Sequence, residues 1–180
     1  SMKLILKRGG VITMEFPHLL ALMEGNQFDT IYHEHYSYFS LTSAVKIFNA
    51  HGLRISDVER LSTHGGTLRL YVCHDEEPRW GCLAESDRVG EMLAQEEARG
   101  LLDLNTYRVF GSRVQGLKRE ILKFLISACE SGCTVAAYGA PAKGNTLLNY
   151  CGIGTDLIAY TVDRNPVKQG LFLPGSRIPI

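Results

Sequence analysis

The chain has 180 residues, 45% of them apolar, with 19 acidic and 19 basic side chains and a formal net charge of zero. That balance argues against an electrostatic nucleic-acid binder, which carries a basic bias, and no apolar run reaches the roughly 18 residues that read as a membrane span. No signal peptide is visible, and the five cysteines (Cys73, Cys82, Cys129, Cys133, Cys151) are scattered and odd in number; a disulfide framework is not expected, and a reducing cytoplasm is the simpler setting.

The opening SMKLILKRGG reads as the end of a helix broken at Gly9-Gly10, and the closing LPGSRIPI stops in mid-pattern. Both ends are those expected of a fragment, with Ser1-Met2 a cloning scar. Residues 11–16 predict a short apolar strand closed by Pro17, followed by a polar, irregular stretch over 24–40. Ser40 is placed to cap a helix whose apolar residues Leu41, Ala44, Val45 and Phe48 fall at i, i+3, i+4 and i+7, with Gly52 as its stop. LRISDVERL and HGGTLRLYVCH read as consecutive strands joined at Gly65-Gly66, close enough to pair antiparallel.

Over 76–81 the composition turns to charge, Pro and Gly, and a domain division is expected there, giving 1–76 and 77–180. Residues 84–102 predict a charged helix. A longer one follows Asn105, with Tyr107, Phe110, Val114, Leu117, Ile121, Phe124 and Ala128 as its packed stripe and Gly132 as its end. CTVAAY, GAPAKGN, TLLNY and LIAYTVD then read as strand, loop, helix and strand, a β-loop-α-β unit whose strands should run parallel. The fold class is α/β. The pair Cys129-x-x-x-Cys133 has no second ligand pair downstream, so no metal site is expected from it.

DTIYHEHYSYFS, residues 29–40, gathers two histidines, a glutamate and three tyrosines. If the segment is extended, side chains alternate, so His33 and His35 share one side and Tyr32 and Glu34 the other. Three readings compete. One is a polar loop whose histidines satisfy backbone groups. Another is a metal held by His33 and His35, with a third ligand from elsewhere. The third is acid-base chemistry, because an imidazole takes and returns a proton near neutral pH, a carboxylate fixes its tautomer, and a tyrosine hydroxyl donates to a developing oxyanion.

The loop YGAPAKGNTLLN follows an apolar strand, and Gly139, Lys143, Gly144 and Asn145 are its possible phosphate-binding residues at a helix N-terminus. It fits neither G-x-G-x-x-G nor G-x-x-x-x-G-K-[ST], and a tight βα turn is the competing reading. Asp163 ends the next strand, where a dinucleotide fold holds its ribose and where helix caps are also common.

GGVITMEFPHLL, NQFDTIYHEHYSYFSL, FNAHGLRISDVERLSTHGGTLRLYV and AAYGAPAKGNTLLNYCGI with YTVDRNPVKQG together resemble the S-adenosylmethionine-dependent C-methyltransferases that act on nucleotide-linked deoxysugars. The resemblance covers nearly the whole chain. It implies the end of a class I methyltransferase Rossmann-like sheet followed by a second Rossmann-like α/β domain. The family's zinc-binding N-terminal domain and its S-adenosylmethionine loop would lie upstream, so the fragment alone is expected to be inactive. The resemblance also implies that the substrate is a nucleotide-linked keto-deoxysugar, with no nucleic acid or membrane as partner. Its Tyr-x-Glu-His motif maps His35 to the base, Tyr32 to a hydrogen-bonding partner near the sugar and Glu34 to an orienting carboxylate. His33, Tyr36 and Tyr38 become possible substrate-binding residues. The rival expectation is a non-catalytic α/β module that binds a nucleotide or a partner domain.

Overall fold

The computed structural model describes residues 1–77 and 84–180; residues 78–81 of the predicted division, and Cys82, lie outside the described residues. The chain forms two compact units. One comprises Ser1–Gln27 and Ser37–Val109, the other Phe28–Tyr36 and Phe110–Ile180. The boundary near 76/77 is therefore not where the compact units part. They part between Val109 and Phe110, because the helix that follows the division packs on the first unit's sheet.

In the first unit a short helix α1 (Met2–Ile5) precedes strand β1 (Ile12–Pro17) and helix α2 (Leu19–Glu24). Helix α3 (Leu41–Ala50), strands β2 (Leu53–Leu61) and β3 (Thr67–His74), and helix α4 (Asp87–Ala98) complete it. The predicted order of strand, loop, helix, strand and strand is present, with the unpredicted helix α2 set between the first strand and the loop. The sheet order is β1-β3-β2; both outer strands pair antiparallel to β3, so β1 and β2 run parallel to each other. Alternation assigns the faces. Met14 and Phe16 pair with Leu70 and Leu68 and belong to the apolar core, where Leu41, Leu68, Leu70 and Val72 are 0% exposed. Glu15 pairs with Arg69, and Arg69 also reaches Glu59, which accepts from the Tyr71 hydroxyl at 2.9 Å. This charged set makes the polar face. Ser56 sits at a bulge between Ile55 and Asp57, where its hydroxyl donates to Tyr71 O at 3.1 Å. Val89 and Met92 of α4 join the same core.

Helix α3 forms where the spacing of its apolar residues predicts it. Ser40 accepts from the Ser43 amide while Ser43 accepts from the Ser40 amide, a reciprocal cap. Leu41, Ala44 and Phe48 are its buried face.

Helix α5 (Leu104–Glu130) begins in the first unit and ends in the second. The second unit continues with strand β4 (Ala136–Tyr138), helix α6 (Ala142–Cys151) and strand β5 (Tyr160–Val162). β4 and β5 pair in parallel, Ala136 opposite Tyr160 and Tyr138 opposite Val162, as expected for β-α-β. Leu125, Cys151, Ile153, Ile158, Leu173 and Ile178 form the core, with Ile121 and Leu122 packed against it. The predicted α5 stripe is thus corrected at Phe124, which is 69% exposed: the packed face runs through Ile121 and Leu125, one turn apart, and Phe124 points elsewhere.

Candidate functional site

The tyrosine- and histidine-rich segment is not extended. It opens with a 3-10 turn, Phe28–Thr30, and continues as a chain of tight turns. The Ile31 amide donates to Phe28 O at 3.0 Å, Tyr32 to Thr30 O at 3.1 Å and His35 to Tyr32 O at 2.9 Å. The expected faces are therefore corrected. A turn brings residues three apart together, so Tyr32 meets His35 rather than Glu34. The Tyr32 hydroxyl lies 3.2 Å from His35 Nε2, with ring centroids 4.8 Å apart in an edge arrangement. His33 and Glu34 face solvent at 86% and 67% side-chain exposure, 4.0 Å apart. Tyr36 is 93% exposed, and Tyr38 lies in the first unit.

The Tyr32–His35 pair has defined chemistry. Either the phenol donates to a bare Nε2, or Nε2–H donates to the phenol oxygen. The choice fixes the tautomer and hence which ring nitrogen carries the proton. Glu34, mapped as the orienting carboxylate, stands beside His33 instead.

In the loop from β4 to α6, Gly139 adopts φ +94°, the left-handed region open to glycine. Its amide donates to Val162 O at 2.6 Å, and the Ala140 amide donates to Asp163 Oδ2 at 2.7 Å. Asp163 Oδ1 accepts from the Asn165 amide at 2.8 Å. Lys168 Nζ lies 3.6 Å from Asp163 Oδ2 and donates to Ala140 O at 2.8 Å. The Asn165 and Ala140 amides, with Lys168 beside them, hold the Asp163 carboxyl below its ordinary value. Asp163 is spent on closing this loop, which corrects its reading as a ribose ligand. Lys143, Gly144 and Asn145 fall in the first turn of α6, where Pro141 stands at the N-cap position without a side-chain cap. Gly144 lies close against Pro141, where an added Cβ would meet the ring at 3.4 Å. Asn145 Oδ1 is buried without a hydrogen-bond partner.

These residues do not form a cradle for S-adenosylmethionine, because the Gly139 and Ala140 amides are already committed within the loop. Among the described residues no group of three or more His, Cys, Asp or Glu side chains is arranged to hold a metal ion, zinc included. No helix among them is long and apolar enough to cross a membrane.

One buried polar pair went unread in the sequence. His18 and Glu96 are 1% and 0% exposed, with Nε2 2.8 Å from Oε1. Glu96 also accepts from the Leu41 amide at 2.6 Å, the Thr42 amide at 2.8 Å and the Thr42 hydroxyl at 2.6 Å. Burial pushes the carboxyl up, but the bonds from His18, Thr42 and Leu41 outweigh it and hold Glu96 below its ordinary value. The signal was present: Glu96 continues the spacing of Val89 and Met92 along α4, which turns it inward.

Residues 62–180 match the family described as C-methyltransferase C-terminal domain, and the chain belongs to that family. Over 181 aligned residues it is 41% identical to the C-methyltransferase NovU of Streptomyces niveus. That alignment covers 98% of this chain and so takes in the Tyr32–His35 turn, which precedes the family match. The chain spans 41% of that relative's length.

Proposed function

We propose that this chain is the deprotonating portion of an S-adenosylmethionine-dependent C-methyltransferase acting on a nucleotide-linked keto-deoxysugar. Membership of the family supports the reaction class, and the Tyr32–His35 contact at 3.2 Å supports the assignment of roles. His35 is the base: it removes the proton on the carbon beside the sugar ketone. The C–H electron pair becomes the enolate, whose oxygen takes a hydrogen bond from the Tyr32 hydroxyl. S-adenosylmethionine, bound in the complete enzyme, would supply the electrophilic methyl group, while the residues of this chain hold and move the proton. A positioned base contributes about 10² to 10⁴ in rate. Carbon needs this help because, unlike an amine, it has no lone pair to attack with until the proton has left.

Glu34 is assigned the orienting role once substrate is bound, and His33 and Tyr36 are assigned to substrate contacts. Of Gly139, Lys143, Gly144 and Asn145, Lys143 is assigned to the nucleotide phosphates as their cation; the Gly139 amide is committed to Val162 O, and Asn145 Oδ1 is an acceptor and offers a phosphate nothing. The division into 1–76, the close of the catalytic domain, and 77–180, the second α/β domain, is proposed as a functional one; the compact units part between Val109 and Phe110. The free thiols of Cys73, Cys129, Cys133 and Cys151 fit a cytoplasmic enzyme.

The test is turnover. The complete methyltransferase containing this chain, given S-adenosylmethionine and a nucleotide-linked keto-deoxysugar, should yield a C-methylated sugar. Binding of the sugar nucleotide with no methylated product across a panel of keto-sugars would favour the non-catalytic module instead.

A further inference from the structure

We propose that Tyr150 is a positioning residue for the Tyr32–His35 turn, acting through Phe28; the proposal rests on His35 being the base. The segment 28–36 buries two side chains, Phe28 and Thr30. Ile31 and Tyr36 are exposed, at 49% and 93%, and Phe28, 7% exposed, is its one buried apolar side chain. The Phe28 ring packs on Tyr150 with centroids 4.9 Å apart and planes inclined at 58°.

Tyr150, 40% exposed, is tied to its surroundings by its backbone and by one face of its ring. It occupies the last turn of α6, beside Cys151 at 3% exposure. Lys118 of α5 donates to the Tyr150 carbonyl at 3.0 Å and lies 5.4 Å from the centre of its ring. The neighbouring Asn149 side chain donates to Pro174 O at 3.0 Å. From Phe28 the path to the base is covalent and short. The Phe28, Thr30 and Tyr32 carbonyls accept the Ile31, Tyr32 and His35 amides in turn. Fixing the Phe28 ring therefore fixes the origin of the turn that presents His35. Base catalysis is sensitive to such placement, since a displacement of about 1 Å costs up to about 100-fold in rate.

The hydroxyl of Tyr150 plays no part in this stack, which separates the variants. In the complete methyltransferase, Tyr150→Ala should raise amide exchange at Ile31, Tyr32 and His35 by about tenfold or more, as expected when a local contact is lost. It should lower kcat by about 10- to 100-fold while the dissociation constant for S-adenosylmethionine stays within about twofold. Tyr150→Phe should restore both readouts. Phe28→Leu keeps the burial but loses the ring stack, so it should give a smaller loss of kcat in a chain that folds normally. His35→Ala, run alongside, tests the underlying assignment: a near-normal rate there would overturn the base reading and this proposal with it. Unchanged amide protection and kcat in Tyr150→Ala beside an inactive His35→Ala would overturn the anchor alone.

Discussion

Glu96 receives four donors on two oxygens, from His18, the Leu41 and Thr42 amides and the Thr42 hydroxyl. Replacing it with Gln removes the charge and turns one acceptor into a donor facing donors. Breaking a buried pair in this way costs about 3 kcal/mol or more, to be read as a lowered urea midpoint with an unchanged slope. Because the folded state holds this carboxyl below its ordinary value, its stabilisation is fully present above that ordinary value. It is lost as the pH falls through the depressed folded value. The wild type should therefore lose stability in acid more steeply than Glu96→Gln; equal acid profiles would contradict the assignment. At the turn, His35→Ala should cost about 100-fold or more in turnover. His33→Ala should cost less than His35→Ala, since a substrate contact is lost but the base remains. Equal losses would show that the two histidines share one role. The density of protonatable groups was legible in the sequence, but the Tyr32–His35 contact was not: alternation applies to extended chain, and three successive turns replace it here.

Helix α3 shows what makes an element legible. Its cap, its apolar spacing and its stop all lie within the residues 40–52, so local sequence suffices. Ser40→Ala should remove one half of the reciprocal cap and cost about 1 kcal/mol, measurable by thermal unfolding; a change below a few tenths would mean that Glu96 alone satisfies the helix start. Helix α5 was legible as a helix and misread in its face. Seven apolar residues fit one stripe in the sequence, yet only tertiary packing decides that Leu125 turns inward and Phe124 outward. The β4–α6 loop was legible as a glycine turn. That Asp163 would close it depended on a partner 23 residues away, which spacing alone does not reveal.

At the scale of the whole molecule, the α/β class and the order of elements followed from the periodicities. The division into units did not, because α4 packs back on the first sheet through Val89 and Met92 and because residues 28–36 group with the later half of the chain. That grouping places the candidate base in the same compact body as α6. The central claim is that this body presents His35 to a carbon acid, and proton exchange tests it without methyl transfer. The complete methyltransferase is held in D₂O with the keto-sugar nucleotide and the demethylated product of S-adenosylmethionine. Deuterium should then enter the carbon destined for methylation, and His35→Ala should abolish that exchange while Tyr32→Phe only slows it. Exchange that persists at the wild-type rate in His35→Ala would contradict the account.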